Sequence, residues 1–325
     1  MSDYWRPIPE EGGSHPLAGG WLRFSRVERL SRRALPQIVP ASAAPPEVID
    51  RLTATRASIC DIDMSRPSIM GIVNATPDSF SDGGTYDPLA QARRLAREGA
   101  DILDIGGEST RPGAAEVSFA DEAERVVSVI GEMAGALPIS VDTRKAAVAR
   151  QAVAAGASMV NDVSGFDFDD DLPGFVAQND LPVCVMHAQG LPETMQDNPR
   201  YEHVLLDVYD ALQTRILRAA EAGVRHERIL IDPGIGFGKT LAHNLSILNR
   251  ISLFHSLGCP ILLGVSRKRF IGEVTEAQDP QARQAGTLAV ALAAVAQGVQ
   301  MHRVHDVAHA VQGLALWRAV TERDD

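Results

Sequence analysis

"YDPLAQARRLAREGADILDIGGEST", residues 86–110, contains one full period of the pattern that decides the fold. Asp87 is placed to cap a helix, Pro88 suits the first turn, and Leu89, Ala92, Leu95 and Ala96 share one face. Gly99 ends that helix, and a short apolar run, 102–105, follows at once. The run then breaks into Gly107-Glu108-Ser109-Thr110. A helix, a buried strand and a polar strand end thus follow one another within 25 residues.

The same alternation continues along the chain. Apolar runs at 69–73, 102–105, 139–141, 158–160, 183–186, 229–231, 261–265 and 299–304 alternate with segments of helical period. Continuous apolarity suits parallel strands covered on both faces. Thr143 is placed to cap a helix that stops at Gly156, and the alanine-rich "AGTLAVALAAVAQG" can pack against two neighbours. Eight such units over roughly 260 residues predict a TIM (β/α)8 barrel, with a doubly wound sheet as the alternative.

The strand ends carry the functional signal. In order they read Asn74, 107–110, Asp142, Asn161-Asp162, His187, Asp232, Ser266-Arg267-Lys268 and His305. In a barrel these ends converge at one mouth, where active sites lie. Asp142, Asn161 and Asp232 belong deep in that mouth. A buried carboxylate needs donors, and a heterocycle with adjacent ring N–H and amino groups supplies them. Arg303, His305 and Asn74 come from neighbouring strands and can meet around a phosphate-like group.

Two motifs point elsewhere and fail on spacing. "DPGIGFGKT", 232–240, has Pro233 where a phosphate loop needs its first glycine, and its glycines do not form the dinucleotide pattern. Its glycines instead suit a turn lying flat against a planar ligand. "HDVAH" sets His305 and His309 four apart, but the first ends a strand, so a zinc helix is not expected.

Composition bounds the rest. The chain has 325 residues, 45% hydrophobic, with net charge −11, and its pI is near 5.3. That balance gives no reason to expect a nucleic acid or an anionic membrane as partner. Cys60, Cys184 and Cys259 lack metal spacing and suit free thiols in a reducing compartment. With no basic-apolar leader and no long apolar stretch, a cytoplasmic protein is expected. Residues 1–56 are rich in Pro, Gly and Arg; short strands around "GGWLRFSRV" and a loosely attached extension are both open. The expected division is an extension over 1–56, a barrel over 57–320 and a tail over 321–325.

With these residues assembled, the chain resembles the dihydropteroate synthase family. The likeness rests on "MGIVNATPDSFSDGG", "GADILDIGGESTRPGA", "SVDT", "VNDVSG", "VMH", "DPGIGFGKT", "GVSRKRFIG" and "RVHDV", in that order. "ICDIDMSRPS" resembles the short hairpin that the family places at the barrel bottom. The resemblance implies condensation of 6-hydroxymethyl-7,8-dihydropterin diphosphate with p-aminobenzoate, releasing diphosphate by an SN1-like path. It implies that Asp142, Asn161, Met186, Asp232, Gly264 and Lys268 hold the pterin. Asn74, Arg303 and His305 would take the diphosphate, with Asn74 also on Mg2+. Thr110, Arg111, Pro112 and Phe237 would frame the p-aminobenzoate. Phe80 and Asp82 belong to a first loop, with Asp82, Lys268, Arg303 and His305 closest to the chemistry. Many members have serine where this chain has Arg269, which can serve the same carboxylate. The resemblance also implies a homodimer and sulfonamide sensitivity. The readings set against it are a corrinoid-dependent methyltransferase on the same barrel and an inactive homologue kept as a binding partner.

Overall fold

The computed structural model describes residues 3–76, 87–109, 116–190, 195 and 197–321. Its first part is a small antiparallel sheet of β1 (Tyr4–Pro9), β2 (His15–Pro16), β3 (Arg23–Leu30) and β4 (Gln37–Pro40), followed by α1 (Pro46–Thr53). The central strand β3 pairs with β1 on one side and with β2 and β4 on the other.

The remainder alternates strand and helix, with two helices between the last two strands. The order is β5 (Ser68–Asn74), α2 (Pro88–Arg97), β6 (Ile102–Gly106), α3 (Phe119–Met133), β7 (Ile139–Asp142), α4 (Ala146–Ala155), β8 (Met159–Asp162) and α5 (Asp171–Gln178). It continues with β9 (Val183–Met186), α6 (Val204–Glu221), β10 (Ile229–Asp232), α7 (Leu241–Asn249), β11 (Leu262–Gly264), α8 (Arg269–Thr275), α9 (Gln284–Val295), β12 (Met301–Val304) and α10 (Val307–Thr321). The eight strands β5 to β12 form one sheet in the order β10-β9-β8-β7-β6-β5-β12-β11, with parallel pairing throughout. A parallel bridge between Ile231 and Ile261 joins the two ends, which closes the barrel. The doubly wound alternative is thereby removed.

Period two sorts the strand residues between two cores. Ile69, Val73, Leu103, Ile105, Val141, Val160, Val183, Val185, Ile231 and Leu263 face the helices. Met70, Ile102, Met159, Cys184, Leu230, Leu262 and Met301 instead cluster with Ile59, Ile62 and Met64. The second group is the floor of the barrel interior. The Ile59–Ile62 bridge makes the small hairpin that plugs it from below, as the resemblance implied. At about 1.5–3 kcal/mol per fully buried large apolar side chain, these three plugging residues add several kcal/mol.

Helix starts follow local chemistry. Asp87 caps α2 by accepting from the Leu89 amide, as its position predicts. Thr143 does not cap α4, which begins three residues later. Its hydroxyl donates instead to Glu122 Oε1 at 2.6 Å, and Asp169 Oδ2 accepts from the Ala146 amide. A buried carboxylate partner has outcompeted the helix end.

Of the two readings left open for residues 1–56, the structure has the strands. Trp5, Leu17, Phe24, Val27, Val48 and Leu52 make a core of their own. The sheet is then fastened to the barrel. Glu28, 5% exposed, lies against Arg6 (2.6 Å) and Arg250 (3.1 Å). Burial pushes its carboxyl up, but Arg250 and Arg6 outweigh this and hold it below the usual range. Tyr4 packs edge-on against Tyr209 and donates to Asp210, while Trp21 Nε1 donates to the Val295 carbonyl. Removing one partner of a buried ion pair strands the others. Glu28→Ala is therefore expected to lower stability by ~3 kcal/mol, read by urea unfolding. A loss within error would show that the apolar contacts alone secure the sheet.

Candidate functional site

One inward position above the apolar floor, the strands present a different set. Counting two residues up from each floor residue gives Ile72, Asp104, Asn161, Met186, Asp232, Gly264 and Arg303, and Asp142 shares that phase on β7. The same period that makes the floor dry therefore makes the layer above it polar. Asp104, Asp142, Asn161 and Asp232 are all less than a tenth exposed.

Arg303 organises one side. Its Nε donates to Asp104 Oδ2 at 2.6 Å and its NH2 to Asp142 Oδ2 at 2.7 Å. Asn161 Nδ2 donates to the same Asp104 oxygen at 3.1 Å. One guanidinium faces two carboxylates. Burial pushes Asp142 up to about 7, against the pull of Arg303 and with the help of Asp104. Burial alone would lower Arg303, yet Asp104 and Asp142 hold it above its ordinary range. Asp104 Oδ1 is buried without a hydrogen-bond partner among the described residues. Gly264 completes this wall, since a side chain there would contact Arg303 and Asp232.

Lys268 and Asp232 organise the other side. Lys268 Nζ donates to the Ile235 carbonyl and stands 4.5 Å from the centre of the Phe237 ring. Burial lowers its ammonium to about 8, although Asp232 favours the charged form. Burial likewise pushes Asp232 up, with Lys268 opposing. Asp232 Oδ1 accepts from the Gly234 amide at 2.7 Å, so the turn after β10 grips the carboxylate that begins it.

The turn itself departs from its sequence reading. Side chains at Gly234 and Gly238 would collide with the carbonyls of His187 and Gln189, and both glycines have positive φ. These glycines let the turn lie against the end of β9, not against a planar ligand. Only Gly236 faces the site, beside the Lys268 stem.

The other predicted residues differ in where they stand. Met186 is buried at the end of β9. Asn74 ends β5 opposite Gly106, and His305 is held through Nδ1 and its amide by Ser266 Oγ. Arg267 is paired with Asp306 and Arg269 with Glu273, so Lys268 is the cation of that run turned toward Asp232. Arg269 is largely exposed. Asp162 makes its own turn, bonding Ser164 and Phe166, and His309 is exposed on α10. Phe80, Asp82, Thr110, Arg111 and Pro112 lie outside the described residues. Asp104 escaped the sequence reading because it sits inside an apolar run. Its two-residue spacing from Ile102, matching Asn161 from Met159, is the signal that finds it.

The Pterin binding enzyme family matches residues 70–305. The chain belongs to this family. It is 46% identical over 268 residues to the dihydropteroate synthase of Neisseria meningitidis serogroup C, covering 80% of this chain and 95% of that one. With the Escherichia coli K12 dihydropteroate synthase it shares 44% over 264 residues, covering 79% and 93%. Among solved structures, Xanthomonas albilineans dihydropteroate synthase with 4-aminobenzoic acid superposes with a TM-score of 0.76 at 47% identity, covering 81% and 96%. The family match begins within β5 and ends at His305, and so spans the strand ends from Asn74 to His305 that build the site. The antiparallel sheet precedes it.

The electrostatics of this barrel give a signed pH effect. A carboxyl raised in the folded state binds a proton that the unfolded chain has already lost. Asp142 thus contributes stability that is present below about pH 4 and is lost as pH rises through about 7. Asp142→Asn is expected to flatten the decline in unfolding free energy across that window, measured by denaturant titration at several pH values. An unchanged slope would place the charge cost on another group.

Proposed function

We propose that this chain is a dihydropteroate synthase, joining 6-hydroxymethyl-7,8-dihydropterin diphosphate to p-aminobenzoate to give 7,8-dihydropteroate and diphosphate. The observation that carries this is the layer of buried Asp142, Asn161 and Asp232 with half-buried Lys268 and Arg303 beside them. Asp232 would accept from the amino-pyrimidine edge of the pterin. Lys268 would donate to its carbonyl and ring nitrogen, and Asn161 can both donate and accept. Met186 and Gly264 would bound the ring.

In the reaction, the C–O bond between the pterin methylene and diphosphate breaks, its electron pair leaving with diphosphate. The arylamine nitrogen then bonds that carbon and gives up a proton. Arg303 and His305 would meet the charge that develops on the leaving group. To do so Arg303 must exchange a carboxylate partner for a phosphate oxygen, for which its two-sided hold on Asp104 and Asp142 is suited. Electron release from the reduced ring supports an SN1-like path, which requires water to be kept from the methylene. Phe80 and Asp82 are proposed for that loop, and Thr110, Arg111, Pro112, Phe237 and Arg269 for the p-aminobenzoate. Sulfonamides would compete there, as the Yersinia pestis enzyme's sulfonamide complex suggests by analogy.

Asn74 would contribute to Mg2+. Among the described residues no three His, Cys, Asp or Glu side chains gather into a metal site. A single neutral amide suits a hydrated ion that shares diphosphate oxygens. When bound, such an ion neutralises leaving-group charge. A cytoplasmic homodimer remains our expectation; among the described residues no helix is long and apolar enough to cross a membrane.

Diphosphate release should require both substrates and Mg2+; a folded enzyme showing none would overturn the assignment. Lys268→Ala should weaken dihydropterin binding about tenfold or more, the size of a lost charged hydrogen bond. In the unsubstituted protein, affinity should fall as pH rises through about 8, where Lys268 loses its charge. Calorimetric titration would show that limb missing from the variant, and its survival would remove Lys268 from the role.

A further inference from the structure

Lys239 carries chemistry that the proposed reaction does not use. It is 3% exposed, and its ammonium is fully occupied by protein. Nζ lies 2.9 Å from the Gly234 carbonyl, 3.1 Å from the Phe237 carbonyl and 2.9 Å from His187 Nδ1. The His187 carbonyl, at 3.4 Å, is a fourth and longer contact, so the three donors of the ammonium are all engaged by protein and none remains for a phosphate. An ammonium buried in this way costs free energy unless its geometry serves a purpose. Here that geometry fixes both ends of one turn, because Gly234 and Phe237 bracket the residues that face Lys268.

We propose that Lys239 is a positioning residue for substrate recognition, holding the turn 234–238 so that it seats Lys268. The links are direct. Lys239 fixes the carbonyls on either side of Ile235 and Gly236. The Ile235 carbonyl accepts from Lys268, whose Nζ also lies over the Phe237 ring. The Gly234 amide holds Asp232 at 2.7 Å. One buried ammonium therefore sets a pterin cation, a pterin carboxylate and the ring proposed for the arylamine. Asn244 Oδ1 accepts from the Gly236 amide and Tyr201 donates to the Gly238 carbonyl, steadying the rest of the turn. The titratable groups around Lys239 are His187, Asp232, Lys268, Arg215 and His243, and those facing Lys268 are Asp232 and Arg303. Burial, helped by Lys239, pushes His187 down to about 2 and keeps it neutral, so that Nδ1 accepts in the tautomer with its proton on Nε2.

This inference rests on the assignment of Lys268 and Asp232 to the pterin. Lys239→Met keeps the stem and removes the donors. It is expected to raise the dihydropterin Kd and the arylamine KM together by about tenfold or more. It is also expected to move the alkaline limb of pterin binding upward from about 8, because Lys268 loses its seat and meets more solvent. Loss of stability alone would leave that limb in place for the folded protein. Lys239→Gln can still serve two of these acceptors and should lie between. It is read in place of the Met variant if that one does not fold. A folded variant with unchanged Kd and an unmoved limb overturns the proposal. An unsubstituted protein that does not bind dihydropterin overturns the functional assignment as well.

Discussion

Arg303 reaches into the barrel from β12 and is gripped by Asp104 and Asp142 from β6 and β7. Three charges in a space closed from below by methionine, isoleucine and leucine can persist only by facing one another. That requirement fixes which strand residues point inward and at what height. The floor must be dry, so Met70, Ile102, Met159, Leu230 and Met301 occupy it. The next inward positions are then the first place where polar groups can stand. Alternation along eight parallel strands turns this rule into a ring of site residues.

That ring is electrostatically unsettled. Asp142 and Asp232 are pushed up by burial, and Lys268 is pushed down. Each would hold its charge more easily with a complementary partner. In the proposed reaction a pterin edge would offer donors to Asp232 and acceptors to Lys268, and a diphosphate would offer oxygens to Arg303. A site made for such a ligand is costly without it, since pairing and hydrogen bonding are completed only on binding. The turn 234–238 lets this tension persist. Lys239, Asn244 and Tyr201 hold its backbone by hydrogen bonds that do not depend on the ligand.

Barrel, strand order and most of the polar ring are legible in the sequence because each follows from a short-range period. Asp142, Asn161 and Asp232 end their runs, so the break in apolarity reveals them. Asp104 does not end its run, and the apolar neighbours Leu103 and Ile105 conceal it. Three cations together in "SRKRF" carry no local sign of which one turns inward. Arg269 has a local partner in Glu273, one turn on, but the partner of Arg267 is Asp306, 39 residues away. The glycines of "GIGFG" mark a close approach, but sequence cannot say whether ligand or protein approaches. Thr143 is a reasonable cap by type, and a glutamate 21 residues away takes its hydroxyl instead. For Arg267 and Thr143 a contact distant in sequence decides what the local pattern leaves open.

The amino-terminal sheet poses a similar problem of distance. Its composition offers few long apolar runs, and a chain so rich in Pro and Gly has weak local preferences. Its core is small, and a core of that size stabilises little in isolation. Docking supplies what local structure lacks. Tyr4 on Tyr209 and Trp21 against α9 bury apolar surface, which gives the energy. Glu28 between Arg6 and Arg250 adds less net energy, because desolvation offsets much of the attraction. Its contribution is orientation: a buried carboxylate accepts only poses that satisfy it. A sheet held by apolar contact alone could slide along the barrel wall. With Glu28 in place, sliding would leave a charge buried and unpaired, and one docked position is selected.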